Sequence, residues 1–205
     1  MQTSLFDNAS DLNILPKDGQ ANYLPAVFSA QQCSALFDAL KASLTWETEE
    51  FVMFGQKITM RRQVAWVGDP GCSYTYSGMQ KHPQPWTAEL LLIKRKMEQL
   101  AKWEFNSCLL NLYHDGSDGM GWHSDNEDEL DSQAPIASLS IGAERKFAFR
   151  HKTDKTTHSL FLGNGSVLIM RAPTQQFWRH SLLKTKTVVG PRINLTFRKI
   201  IAGRM

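Results

Sequence analysis

Two stretches of the chain repeat their apolar residues at helical spacing. Ser29-Ala30-Gln31-Gln32 has the form of a capping box, and Cys33, Leu36, Phe37, Leu40 and Leu44 follow on one stripe, which predicts a core-facing helix. Leu90, Ile93, Met97 and Leu100 repeat that stripe in a second helix, predicted from about Thr87 to Lys102. Most of the remainder alternates with a period of two and predicts strands near 45–54, 58–67, 108–114, 136–141, 146–150, 158–162, 167–170, 177–182 and 192–200. Turn residues separate several of them, at Gly68-Asp69-Pro70-Gly71 and at Gly163-Asn164-Gly165. Residues 1–20 are polar, contain Pro16 and Gly19, and show no sustained period, so they read as a flexible tail ahead of one domain, 21–205, with order beginning near Tyr23. Two helices with many short strands predict a mainly β fold with flanking helices, of α+β class, with the helices on one outer face of a sheet sandwich.

Composition narrows this picture without changing it. A chain of 205 residues that is 42% hydrophobic can close one substantial core. The net charge of +3 suits an anionic partner but does not require one. Basic residues recur at Lys57, Arg61 and Arg62, at Lys94 to Lys96, at Arg150 to Lys155, and at Lys184 and Lys186, whereas acids concentrate from Asp125 to Asp131. Such runs are usually solvated faces, and would meet phosphates only if several shared one mouth. The three cysteines, Cys33, Cys72 and Cys108, form no Cys-x-x-Cys, which excludes a zinc site of that kind and a disulfide framework and points to a reducing, cytoplasmic setting. No run approaches the length of a membrane span, no signal pattern opens the chain, and a soluble monomer is expected.

The chemistry enters at the last strong strand. Across Arg192 to Arg198 the alternation is strict, so Ile193, Leu195 and Phe197 face one way and Arg192, Asn194, Thr196 and Arg198 the other. Two guanidiniums, an amide and a hydroxyl on one face of a buried strand are costly without an anionic partner, and arginine forks suit carboxylates. Asn111 and Tyr113 share a face of an earlier strand and add donors for the same ligand. In Trp122-His123-Ser124-Asp125 the histidine and aspartate stand two apart, on one face if the segment is extended, and His180 would complete the set from a neighbouring strand. Two imidazoles and one carboxylate are the ligand set that holds non-haem Fe(II) with positions left open. A lone His-x-Asp is also what a surface histidine beside acids looks like; the row of carboxylate-binding groups is what lends it meaning. His82, His114, His151 and His158 are read as structural or exposed.

These motifs, taken in order, are Tyr74-Thr75-Tyr76-Ser77-Gly78, Asn111-Leu112-Tyr113, His123-Ser124-Asp125-Asn126-Glu127, Pro135 to Gly142, His180, and Pro191 to Arg198. From about Leu24 to Ile201 the chain resembles the AlkB family of Fe(II)- and 2-oxoglutarate-dependent dioxygenases, and more narrowly its nucleic-acid demethylases. The resemblance implies a double-stranded β-helix, or jelly roll, with the metal between its sheets. It implies Fe(II) held by the catalytic His123, Asp125 and His180, with 2-oxoglutarate as cosubstrate. Arg198 and Tyr113 would hold the distal carboxylate, Arg192 and Asn111 the one near the iron, and Asn194 and Thr196 would support them. The implied reaction hydroxylates a methyl group on a base nitrogen, as in 1-methyladenine or 3-methylcytosine of alkylated DNA, with RNA an open alternative. Collapse of the hemiaminal then releases formaldehyde, alongside succinate and carbon dioxide.

The same resemblance marks residues for the substrate. Tyr74, Tyr76, Ser77 and Glu127 match positions that face the base, which must be stacked and read at its edge once flipped. Phe54-Gly55 stands where duplex-active relatives carry an aromatic finger, with Lys57, Arg61 and Arg62 as phosphate contacts. Plainer readings stay open: Tyr-x-Tyr is an ordinary strand pattern, Glu127 is one acid among several, and Phe54 can be a core residue at a strand end. Gln2-Thr3-Ser4-Leu5-Phe6 is similar to the peptide with which bacterial repair proteins dock on the sliding clamp, although Leu5 and Phe6 could equally pack back on the domain. Two other functions compete with demethylation. One keeps the oxygenase chemistry but takes a protein side chain, a lipid or a metabolite. The other is a non-catalytic nucleic-acid binder on this fold, which would have no reason to keep the whole ligand set.

Overall fold

The computed structural model describes residues 12–53, 56–72, 74–76 and 79–201. In chain order the elements are β1 (Gln20–Leu24), α1 (Ala30–Ser43), β2 (Glu47–Met53), β3 (Gln56–Gly68), β4 (Tyr74–Tyr76), β5 (Met79–Lys81), α2 (Ala88–Ala101) and β6 (Ser107–Tyr113). They continue with β7 (Met120–His123), β8 (Ile136–Gly142), β9 (Arg145–His151), β10 (Thr157–Leu162), β11 (Val167–Arg171), α3 (Thr174–Phe177), β12 (Trp178–Leu182) and β13 (Arg192–Arg198).

The helices begin where their caps dictate. Ser29 accepts from the Gln32 N–H at 3.3 Å while the Gln32 side chain accepts from the Ser29 N–H at 2.9 Å, so the predicted capping box closes. The Thr87 hydroxyl caps α2 by accepting from the Leu90 N–H at 3.3 Å, and that helix stops where Lys102 turns left-handed, with φ 54°.

Antiparallel ladders join β1-β11-β8-β13-β6-β3-β2 into a seven-stranded sheet and β10-β9-β12-β7 into a four-stranded sheet, with β4 and β5 as a separate pair. Both helices pack on the outer face of the large sheet, where Cys33, Leu40, Leu90, Ile93 and Met97 meet Leu139, Ile193, Leu195 and Phe197. A second core fills the space between the sheets, built on Trp178, Phe149, Leu162, Leu168 and Tyr113. The alternation of β13 is thus resolved as expected: its apolar face lies under the helices and its polar face enters the jelly-roll interior.

Within the span expected to be a tail, the described residues from Leu12 to Gln20 are tied to the domain. Residues 1–11 lie outside the described residues, but Leu15 is buried, the Ile14 N–H bonds to the Ala21 carbonyl at 2.8 Å, and the Trp178 indole donates to the Lys17 carbonyl at 3.0 Å. Ile14 and Leu15 are an apolar pair in a segment too short to show a period, yet they cover one end of the inter-sheet core. Cys33, Cys72 and Cys108 are free and buried. No helix among the described residues is long and apolar enough to cross a membrane.

Candidate active site

The three expected ligands converge. Strand β12 pairs with β7 so that His180 stands opposite His123, and their rings lie 4.2 Å apart between centroids. His123 Nε2 is 3.8 Å from one Asp125 carboxylate oxygen and His180 Nε2 is 4.0 Å from the other. One ligand atom from each residue falls within 4.8 Å of the others, the one such group among the described residues. Nδ1 of His123 sits 2.8 Å from the Gly121 carbonyl, which fixes the proton on Nδ1 and leaves the Nε2 lone pair facing the centre.

The extended-segment expectation needs correction at Asp125, because β7 ends at His123. The ladder gives way to side-chain bonds: the Ser124 hydroxyl donates to the Trp178 carbonyl at 2.9 Å, and the Asp125 N–H donates to Gln175 Oε1 at 3.0 Å. Charge states suit a metal. Burial lowers the His180 pKa to about 4 despite the facing carboxylate of Asp125, so the imidazole is neutral with its lone pair available. Burial alone would raise Asp125, but charge interactions led by the Arg198 guanidinium hold the carboxyl below its ordinary value. Two imidazole nitrogens and one carboxylate oxygen, turned towards one another, fit Fe(II) as a donor set.

Behind this triad a cavity runs between the sheets, with Asn111 and Tyr113 from β6 and Arg192, Asn194, Thr196 and Arg198 from β13 on its polar wall. Arg198 donates to the Asp125 carboxylate at 2.7 Å. Arg192 lies 5.5 Å from the Tyr113 ring and donates to the Ser140 hydroxyl at 2.9 Å. The arginine order is therefore exchanged relative to the expectation: Arg198 stands on the metal side, and Arg192, not Arg198, accompanies Tyr113. The register explains it, since Arg192 pairs with Tyr113 across β13 and β6 while Arg198 pairs with Ser107. Burial lowers Arg192 to about 10, still a cation at neutral pH, and burial raises Tyr113, which stays protonated and able to donate. The Nε groups of both arginines are buried without a partner. Unanswered guanidinium donors in a closed polar cavity call for an anion.

Arg62 also departs from the expectation, because it is buried and cannot be an exposed phosphate contact. Val64 pairs with Asn111, and Arg62 shares the face of Val64, so its guanidinium donates to the Asn111 amide oxygen and to Glu49. Asn111 is thereby turned with its NH2 free. Arg145 was missed, although the alternation with Phe147 and Phe149 puts it on the buried face. It donates to the carbonyls of Asp115 (3.0 Å), Asp118 (2.7 Å) and Leu183 (2.8 Å), pinning the β6–β7 connection. Arg61 is exposed and bonds that connection through Asp115 at 2.9 Å.

Of the expected substrate residues, Glu127 is exposed in the connection after β7. Tyr74 and Tyr76 lie in β4 and Lys57 in β3; Phe54, Gly55, Ser77, Gln2, Leu5 and Phe6 lie outside the described residues. One contact on the outer face of the small sheet has no signature in the sequence: the Arg150 guanidinium stacks 4.1 Å over the ring of Trp122, the residue before His123. His151 is structural as expected, held between Asp154 at 3.0 Å and Asp18 at 3.3 Å.

Comparison with known proteins agrees with this geometry. The family described as the 2OG-Fe(II) oxygenase superfamily matches residues 20–198. The DNA oxidative demethylase ALKBH2 of Homo sapiens is 38% identical over 186 residues, covering 85% of this chain and 71% of its own length. Its Mus musculus counterpart is 36% identical over 202 residues, covering 93% of this chain and 84% of its own. The alpha-ketoglutarate-dependent dioxygenase alkB homolog 3 of Homo sapiens is 32% identical over 86% of this chain and 64% of its own. The solved structure of OsALKBH1 shares the fold, with a TM-score of 0.61 at 21% identity, over 87% of this chain and 97% of that one.

Proposed function

The chain belongs to the 2OG-Fe(II) oxygenase superfamily and is an Fe(II)- and 2-oxoglutarate-dependent dioxygenase, and from that premise we propose that it oxidatively removes methyl groups from N-alkylated bases, of the 1-methyladenine and 3-methylcytosine type, in DNA. The observation that carries the reading is one cavity with a His-Asp-His centre at one end and a buried, charge-seeking arginine at the other, in a chain whose relatives are named DNA oxidative demethylases.

His123, Asp125 and His180 would hold the iron. Arg198, bonded to Asp125, would meet the carboxylate nearer the metal, with the Asn111 NH2 turned by Arg62 towards the same ligand. Arg192 and Tyr113 would take the distal carboxylate, one as a cation and the other as a hydroxyl donor, and Asn194 and Thr196 would fill the wall between. When bound, iron and 2-oxoglutarate supply the activation of dioxygen and the oxidising power, with succinate and carbon dioxide as the coproducts. The chain's part is to fix ligand geometry and close the cavity to water. Glu127 would face the positive charge of the methylated base, with Tyr74, Tyr76 and Ser77 around it. Phe54 and Gly55 would fill the gap left in a duplex, and Lys57 and Arg61 would meet phosphate.

Purified protein given Fe(II), 2-oxoglutarate and a methylated oligonucleotide should release formaldehyde, and should release none when 2-oxoglutarate is omitted. Succinate formed without formaldehyde from any methylated strand would favour a substrate other than nucleic acid. Phe54→Ala should lose more activity on duplex lesions than on single strands, since an inserted side chain offsets an unstacking cost on the order of a few kcal/mol. Equal losses on both would assign Phe54 to the core. We also propose that Gln2, Leu5 and Phe6 dock on a bacterial sliding clamp. A peptide of the first ten residues should bind clamp, and replacing Leu5 and Phe6 by alanine should abolish that binding with oligonucleotide repair intact.

A further inference from the structure

We infer that Gln175 is a positioning residue for Asp125, holding through its amide oxygen the backbone from which the carboxylate is aimed at the metal. The inference rests on the assignment of His123, Asp125 and His180 as the iron ligands. Two of these are placed by the sheet, since His123 and His180 face one another across β7 and β12. Asp125 is not, because its strand has ended two residues earlier. Its N–H is left without a ladder partner in a residue only 5% exposed, and a buried N–H needs an acceptor. Gln175 Oε1 is that acceptor, at 3.0 Å.

The glutamine is itself held. Lys152 Nζ donates to the Gln175 carbonyl at 2.8 Å, and the neighbouring Thr174 hydroxyl exchanges bonds with Gln20, donating to its carbonyl at 3.0 Å and accepting from its N–H at 2.8 Å. The far end of the amide meets the Met170 sulfur at 3.4 Å, a weak acceptor, so the Asp125 N–H decides which way the amide faces. Position separates Gln175 from the cosubstrate. Asp125 and Arg198 line both the inter-sheet cavity and a second cleft, and Gln175 lines only the second. Arg198 therefore steadies the Asp125 carboxylate from a place where the cosubstrate also binds, whereas Gln175 steadies its backbone from outside. Groups of this kind around a ligand commonly govern metal affinity.

The test uses the full chain stripped of metal by chelation and titrated with Co(II), read by the visible absorption of the bound ion. Gln175→Met keeps an unbranched side chain of similar length without the amide oxygen, and Gln175→Glu keeps an acceptor oxygen at the same reach. Gln175→Met should weaken Co(II) binding by about 10- to 100-fold, and Gln175→Glu should recover most of that loss. Metal-free Gln175→Met should melt somewhat below the parent, because the buried Asp125 N–H loses its acceptor, and its weaker Co(II) binding should persist when referred to the folded fraction alone. Parent-like Co(II) affinity in Gln175→Met overturns the inference, as does a Gln175→Glu protein no better than Gln175→Met. If metal-free Gln175→Met melts lower while its folded fraction binds Co(II) like the parent, the role is structural and the inference fails. A parent that takes up no Co(II) would instead overturn the metal centre.

Discussion

A buried guanidinium is tolerated where something answers its charge, and the two arginines of β13 are answered differently. Arg198 already has the Asp125 carboxylate, so removing it strips one metal ligand of its partner as well as the cavity of a donor. Among the described residues Arg192 meets the Ser140 hydroxyl and the Tyr113 ring, neither of them an anion, and its charge awaits the cosubstrate. Arg192→Ala should therefore raise the KM for 2-oxoglutarate and leave Co(II) affinity near that of the parent. Loss of a hydrogen bond to a charged group, about 1.5–3 kcal/mol, corresponds to roughly 10- to 100-fold. Arg198→Ala should weaken both ligands. Equal Co(II) losses in the two variants would mean that the separation of their roles is wrong. His123→Ala and His180→Ala should each abolish succinate formation and demethylation, because two remaining ligands cannot hold the ion in an open, fixed geometry. Atomic absorption of the purified variants gives the accompanying loss of iron.

At the scale of elements, what the sequence made legible was whatever its local period encodes. Both long helices carry caps and a stripe, and β13 carries a strict alternation, so its two faces can be assigned before any partner is known. Strand β7 is four residues and α3 is four residues, too short for any period to declare them, yet they place His123 and Gln175. The order of the arginines depends on which residue of β13 meets which residue of β6, and cross-strand register leaves no local trace. Clustered charge usually faces water, which is why the sequence suggests a phosphate contact at Arg62. The side chain turns inwards, where Asn111 and Glu49 accept from its two terminal nitrogens. One turn joins register to function. Gly142 ends β8 with φ +95°, and a Cβ there would lie 2.4 Å from the Pro191 carbonyl oxygen. It pairs with Arg192. Gly142→Ala should therefore cost about 1–3 kcal/mol of stability in urea denaturation, through backbone strain and the forced shift of Pro191. It should also raise the 2-oxoglutarate requirement by moving Arg192, with Co(II) binding preserved. A variant as stable as the parent would show that the Pro191 segment yields freely.

Across the whole molecule a net charge of +3 is too small to steer a polyanion, so what matters is where the charge lies. The outer face of the four-stranded sheet carries Lys146 and Arg150 on β9 and Arg179 on β12, all exposed, with Arg150 and Arg179 paired directly across the ladder. Like charges placed opposite one another are unfavourable in a free sheet. Their effect reaches Lys152, whose pKa is lowered by burial and then by Arg179. Arg150 lies over Trp122, which alternates with His123 along β7 and so stands on the outer face, opposite the metal ligands. Glu127, Asp128, Glu129 and Asp131 are gathered on the connection from β7 to β8. A nucleic-acid strand that delivers a base to His123 across the β7 edge would lay its phosphates on this basic face and not along the acidic connection. Arg150→Gln combined with Arg179→Gln should then weaken binding of a single-stranded oligonucleotide. For every phosphate that is no longer neutralised, the slope of log K against log salt should become shallower by about 0.7. Co(II) affinity and the KM for 2-oxoglutarate should not move, since neither side chain enters the cavity between the sheets. Fluorescence anisotropy of a labelled strand across a salt series measures the slope directly. A double variant with the parent's slope would place the phosphates elsewhere, and the paired arginines would then be no part of the path by which DNA reaches the metal.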